Sequence, residues 1–78
     1  MTAGPFETER EAREAAATAS PGLDALHLAE GNRDMLLSAV NVAGVQLGEY
    51  DRRIVDWLAN YEPATCAVIA GLITRAAD

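Results

Sequence analysis

The chain has 78 residues, a net charge of −6, one cysteine and one histidine. A chain of this length forms one domain with a small core. A single cysteine excludes an internal disulfide, and one cysteine with one histidine falls short of the ligand set of a structural zinc site. The acidic balance disfavours a nucleic-acid partner, because binding to a phosphate backbone depends on clustered Lys and Arg.

The sequence also argues against a membrane location. No apolar run approaches the roughly 18–20 residues that a bilayer-spanning helix needs, so we expect no membrane partner. The first ten residues, MTAGPFETER, lack the basic start and the apolar stretch of a secretory signal. We therefore expect the protein to be in the cytoplasm.

Residues 1–20 are charged at first and then rich in alanine, and we interpret them as an N-terminal extension. Phe6 is the only large apolar side chain there, so the extension has little to bury and is predicted to be frayed or disordered. The alternative is an arm that becomes ordered on a partner. Two pairs of opposite charge at i,i+4 favour a helix weakly: Glu9–Arg13 and Arg10–Glu14.

Residues 21–78 are predicted to form a single helical domain that begins with a short helix over residues 21–30. Ser20 is a suitable N-cap, Pro21 suits the first helical position, and Gly31 suits a left-handed stop. His27 lies beside the apolar face of this helix. A single histidine without a second ligand or an acidic partner is structural or solvent-facing far more often than catalytic.

A second helix is predicted over residues 32–44. Asn32 is a favourable N-cap, Asp34 in the first turn complements the helix dipole, and Gly44 ends the helix. Its apolar side consists of Met35, Leu36, Ala39, Val40, Val42 and Ala43.

The clearest amphipathic pattern lies in a third helix, over residues 49–60. Apolar residues recur at i, i+4, i+7, i+8 and i+11, which is the spacing of one helical face. We interpret them as core anchors, and the alternative is a partly exposed aromatic patch that binds a partner. They are Tyr50, Ile54, Trp57, Leu58 and Tyr61.

The last helix, residues 63–77, begins at Pro63, where proline is tolerated best. Its bulky side includes two further core anchors, Ile69 and Ile73. Because the helix is apolar nearly all round, its side of small residues also needs cover. Either this helix is central to the fold, or a second copy covers the small side. The second arrangement predicts a homodimer whose interface contains Ala67, Ala70, Gly71 and Thr74.

No catalytic or nucleotide-binding motif is present, and we expect no enzyme activity, no cofactor and no metal site. Cys66 lies on an apolar helix without a nearby histidine, which predicts a buried, inert thiol. Residues 49–61 and 63–77 could form a helix-turn-helix, but the second helix shows Ala, Val, Ile and Leu where a recognition helix needs polar side chains. We therefore favour a protein–protein interaction module, and a small DNA-binding regulator is the alternative.

The string AGVQLGEYDRRIVDWLANYEPATCAVIAGLITRA, residues 43–76, resembles a family of short proteins from high-GC actinobacteria and their mobile elements. The family pattern is GVxLGxYDxRIxxWLAxxEPxTxxVIAGLIxRA. The resemblance implies that residues 32–78 are the folded unit and that residues 1–20 are an optional extension. It implies no activity for any position. We conclude from the sequence that this is a non-catalytic all-α bundle that binds itself or another protein.

Overall fold

The computed structural model describes residues 3–19 and 28–77, which form four α-helices and no strand. The predicted all-α class is confirmed for these residues. Most of the short helix predicted over residues 21–30, with Ser20 and His27, lies outside them. The four helices are α1 (Glu9–Ala19), α2 (Leu28–Val42), α3 (Glu49–Leu58) and α4 (Pro63–Ala76).

The prediction that the N-terminal extension is frayed or disordered is wrong for residues 9–19, which form α1 and pack against α4. Both predicted i,i+4 ion pairs are present on its outer side, and the Thr8 hydroxyl accepts the Glu11 N–H at 3.2 Å. Its inner side is alanine: Ala12, Ala15 and Ala16 are buried. The packing of α1 is hard to predict from its sequence, because alanine buries little area but allows two helices to approach closely.

The predicted break between two helices at Gly31 and Asn32 is also wrong, since α2 runs through both residues. Asn32 is buried, and its side-chain amide donates to the carbonyl oxygens of Ala59 and Tyr61, at 2.9 and 2.8 Å. The Asn32 side chain therefore binds the C-terminal end of α3 and does not act as the N-cap that the sequence predicts. Of the short helix predicted over residues 21–30, residues 28–30 therefore belong to α2.

The predicted end of α2 at Gly44 is confirmed as a Schellman motif. Gly44 has a φ of +76°, its N–H donates to the Asn41 carbonyl at 3.0 Å, and the Val45 N–H donates to the Val40 carbonyl at 3.1 Å. These are the two hydrogen bonds of that motif, and the left-handed residue is normally glycine.

The starts of α3 and α4 follow the sequence signals closely. The Asp51 carboxylate accepts the Gly48 N–H at 2.9 Å, so an acidic side chain satisfies a free donor at the positive end of the helix. Pro63 is the first residue of α4, as predicted. The link between the two helices is therefore only residues 59–62.

The core lies between α2 and α4. Its fully or nearly fully buried members are Leu36 and Ala39 of α2 with Cys66 and Ala70 of α4. α4 is the central helix: α2 packs on one side of it and α1 on another, while α3 packs mainly on α2. The predicted core anchors Leu58, Ile69 and Ile73 are partly buried against this cluster.

Candidate functional site

One apolar surface among the described residues is exposed along α3, and we call it the α3 face: Tyr50, Ile54 and Trp57 on one side of the helix, with Tyr61 three residues beyond its last residue. The prediction that these four residues are core anchors is wrong. Their exposed fractions are 72, 42, 56 and 47% respectively, and no residue of α3 is classed as buried. The alternative interpretation, a partly exposed aromatic patch, agrees better with the structure.

The helix is turned so that a different side of it packs. Successive residues of a helix are about 100° apart, which places the α3 face about 120° from the side formed by Val55, Leu58 and Ala59. Val55 and Leu58 pack on the core, and Ala59 just after the helix is buried. Contacts with the rest of the protein therefore use the narrow aliphatic side of α3 and leave the aromatic side in solvent.

Two hydrogen bonds at the end of α3 hold this orientation. The buried Asn32 amide binds the Ala59 and Tyr61 carbonyls, and the Arg33 guanidinium approaches the Asp56 carboxylate at 3.7 Å. Both contacts join α2 to α3. They set the rotation of α3 about its own axis, and with it the exposure of the aromatic side chains.

The α3 face has an ordered geometry and a charged border. The rings of Trp57 and Tyr61 pack edge to face, with centroids 5.0 Å apart and an interplanar angle of 78°. On the neighbouring side of the helix, Arg53 donates to Glu49 at 3.3 Å. An exposed set of aromatic and aliphatic side chains beside a charged border is typical of a protein-binding surface.

The residues that the sequence analysis assigned to a dimer interface lie inside the monomer. Ala67, Ala70 and Gly71 are buried and Thr74 is partly buried. The homodimer interface predicted on the small side of α4 is therefore wrong, since the chain itself covers most of that side. α4 occupies the central position that the alternative arrangement proposed, although α1, not α3, is its second main neighbour.

The N-terminal segment also contacts α4 closely near Gly71. A Cβ atom on Gly71 would overlap the carbonyl oxygen of Ala3 and would lie 3.3 Å from the Phe6 ring. Gly4 lies against the Arg75 guanidinium. Gly71 thus allows a close contact within one chain. The sequence pattern predicts instead that it allows a contact between two copies of the chain.

A shallow groove of about 250 Å³ lies where the N-terminal segment meets the start of α4. Phe6, Ala64 and Val68 form its apolar lining, and Glu62 is at its edge. Its polar lining also includes Glu7 and Glu9, and no histidine or cysteine is among the described residues that line it. Within residues 3–19 and 28–77, no three His, Cys, Asp or Glu side chains are grouped so that they could hold a metal ion.

Cys66 is the one thiol of the chain and is fully buried. Its sulfur donates to the Leu58 carbonyl at 3.4 Å, and burial raises the pKa of the thiol. A protonated, enclosed thiol is a poor nucleophile. Cys66 therefore contributes to the core at the junction of α3 and α4.

Comparison with known proteins identifies no relative: no family model, no curated protein and no solved structure matches this chain. None of the described helices is both long and apolar enough to cross a bilayer. The functional argument therefore rests on the surface chemistry of the chain itself, above all on the α3 face.

Proposed function

We propose that this protein is a non-catalytic protein–protein interaction module that associates with a second copy of itself through the α3 face. The observation that carries the proposal is the exposure of Tyr50 and Trp57, at 72 and 56%. Trp and Tyr are enriched among the residues that dominate binding energy at protein interfaces.

The size of the α3 face indicates how strong this association is. An aromatic side chain carries about 150–250 Å² of surface, so the exposed fractions of the four residues amount to on the order of 400 Å² per chain. Stable dimers bury about 800 Å² per partner, and weaker associations bury less. The α3 face offers about half of that area per partner, which corresponds to a weak association.

The packing of α3 supports the same proposal. Within the chain α3 packs mainly on α2, and none of its residues is buried. A second copy would cover the aromatic side chains that the described part of the chain leaves exposed.

The helix-turn-helix alternative has weaker support. α4 would be the recognition helix, and its small side is buried against the rest of the chain. The net charge of −6 opposes approach to a phosphate backbone. No observation favours this alternative over self-association.

The test is the mass in solution, measured by sedimentation equilibrium from about 10 µM to about 1 mM, a range suited to a small interface. We expect the mass to rise from 8.3 kDa toward twice that value. Because Trp57 is the only tryptophan, its emission should shift to shorter wavelength over the same range as water is excluded from the ring.

Two variants make the test specific. Tyr50→Glu places a charge in the α3 face and should give a monomer at every concentration, while its exposed position leaves folding intact. Arg52→Gln is the matched control, since it changes the net charge by the same one unit on the opposite side of α3 and should dimerise like the parent. A parent that stays at 8.3 kDa with unchanged Trp57 emission would contradict self-association.

A further inference from the structure

The groove between the N-terminal segment and the start of α4 combines an apolar lining with an acidic edge. Phe6 and Val68 line it and are only partly buried, so both still offer apolar surface to a ligand. Three exposed glutamates from the two segments that border the groove add negative charge: Glu7, Glu9 and Glu62. We propose that this groove binds one arginine side chain of a basic segment of another protein. The site is separate from the α3 face and does not depend on self-association.

The electrostatic balance of the groove favours a cation. α1 and α4 both begin at the groove, and because each helix N-terminus carries about half a positive charge, the two together offset about one carboxylate. The Arg13 guanidinium pairs with Glu9 and offsets another. No arginine in the described part of the chain pairs with Glu7 or Glu62. An excess of about one negative charge remains, and the net charge of −6 of the whole chain adds to the attraction for a basic partner.

The size of the groove and the residues that line it favour arginine among cationic groups. Its volume of about 250 Å³ is below the roughly 300–1,000 Å³ of most small-molecule pockets and suits a single long side chain. The aliphatic stem of arginine would pack on Val68, and its guanidinium would lie against the Phe6 ring in a cation–π contact.

The two carboxylates without an arginine partner suit the several donors of a guanidinium. Glu7 and Glu62 come from different segments, and the planar fork of five N–H donors can bind two carboxylates at once, whereas a lysine ammonium is a compact point charge. The Thr65 hydroxyl donates to the Glu62 carboxylate at 3.4 Å. This contact orients one of the two acceptors at the edge of the groove.

The test uses a short peptide as the probe, acetyl-Gly-Arg-Gly-amide, added to the full ¹⁵N-labelled chain at low salt. We expect the amide signals of residues 7–9 and 64–68 to shift progressively with peptide concentration, and those of residues 50–57 to stay in place. The peptide with lysine at its centre should bind more weakly, and the peptide with glutamine should cause no shift.

A matched pair of variants makes the test specific to the groove. Glu62→Gln should weaken binding of the arginine peptide about two- to fivefold, the loss expected for one exposed ion pair. Asp34→Asn removes one exposed carboxylate of α2, outside the groove, and should bind like the parent; circular dichroism confirms that both variants are folded. Absence of shifts with the arginine peptide, equal binding of the lysine or glutamine peptide, or equal affinity of the two variants would overturn the proposal.

Discussion

At the scale of single residues, Asn32 shows how one buried amide joins two helices. Its place in the sequence predicts an N-cap, whereas its side chain is 4% exposed and binds two carbonyl groups at the end of α3. Those carbonyls have no partner within their own helix. Asn32 therefore replaces water at a helix end that lies against the core.

We expect Asn32→Ala to lower the free energy of unfolding by about 1–3 kcal/mol, because the buried carbonyl of Ala59 and the partly buried carbonyl of Tyr61 lose their donor. Asn41→Ala is the matched control, since Asn41 is exposed on the same helix, and it should change stability little. Urea denaturation followed by circular dichroism measures both variants. Equal stability of the two would show that the Asn32 hydrogen bonds contribute nothing in solution.

Cys66 provides a second prediction at this scale, on pH. Burial raises the pKa of the thiol in the folded state above its ordinary value of 9.0, so the folded state binds the proton more tightly than the unfolded state. The stability linked to this group is fully present below pH 9.0 and decreases as the pH rises through the higher, folded-state pKa.

We therefore expect the parent to lose stability above about pH 9 more steeply than Cys66→Ala, which lacks the titrating thiol. Urea titrations of both proteins at several pH values measure the difference in slope. A thiol reagent at pH 8 should also react much faster with the denatured chain than with the folded one. Identical slopes, together with rapid reaction of the folded protein, would place the thiol in solvent.

At the scale of helices, α1 is the element whose role differs most from its sequence pattern. It contains no large apolar residue, yet Ala12 is 1% exposed, and the helix covers part of α4. Small side chains on both helices allow close approach, and the buried area per residue is modest. The contact should therefore be sensitive to any larger or charged side chain.

We expect Ala12→Glu to destabilise the protein by about 2 kcal/mol or more, because a carboxylate must either be buried or force α1 away from α4. Ala17→Glu is the matched control: Ala17 is exposed on the same helix, and the change adds the same charge. Thermal unfolding by circular dichroism should separate the two variants. If both melt like the parent, α1 is not packed on α4, and the frayed extension predicted from the sequence is restored.

At the scale of the whole molecule, self-association through the α3 face would link stability to concentration. A partner that binds only the folded state stabilises it by mass action. For a domain of this size, a change of 1 kcal/mol in the free energy of unfolding shifts Tm by about 4–8 °C. The temperature of unfolding is therefore a sensitive measure of association.

We expect the Tm of the parent to rise by several degrees between about 10 µM and about 1 mM, a hundredfold range of concentration. Tyr50→Glu should keep one Tm over the whole range. Differential scanning calorimetry at the two ends measures this directly. A parent whose Tm does not depend on concentration would be inconsistent with a dimer formed in that range.

The ends of the helices can be predicted from the amino-acid sequence alone. Gly44 ends α2, Pro63 begins α4, and acidic residues occupy the first turn of α3, because helix ends obey short-range rules of φ, free N–H groups and the helix dipole. The i,i+4 ion pairs of α1 follow from the same periodicity. These features depend on neighbours within a few residues along the chain.

Which apolar side of each helix is covered depends on contacts between helices and cannot be predicted from the periodicity of one helix. Periodicity shows that α3 has an apolar face, but the rotation of α3 depends on Asn32 of α2, far away in sequence. Likewise the small side of α4 could accept a second copy or the alanines of α1, and the tethered α1 is always present at high local concentration. Because all surfaces of the chain compete for burial, the aromatic residues of the α3 face remain exposed although they belong to the clearest amphipathic pattern in the sequence.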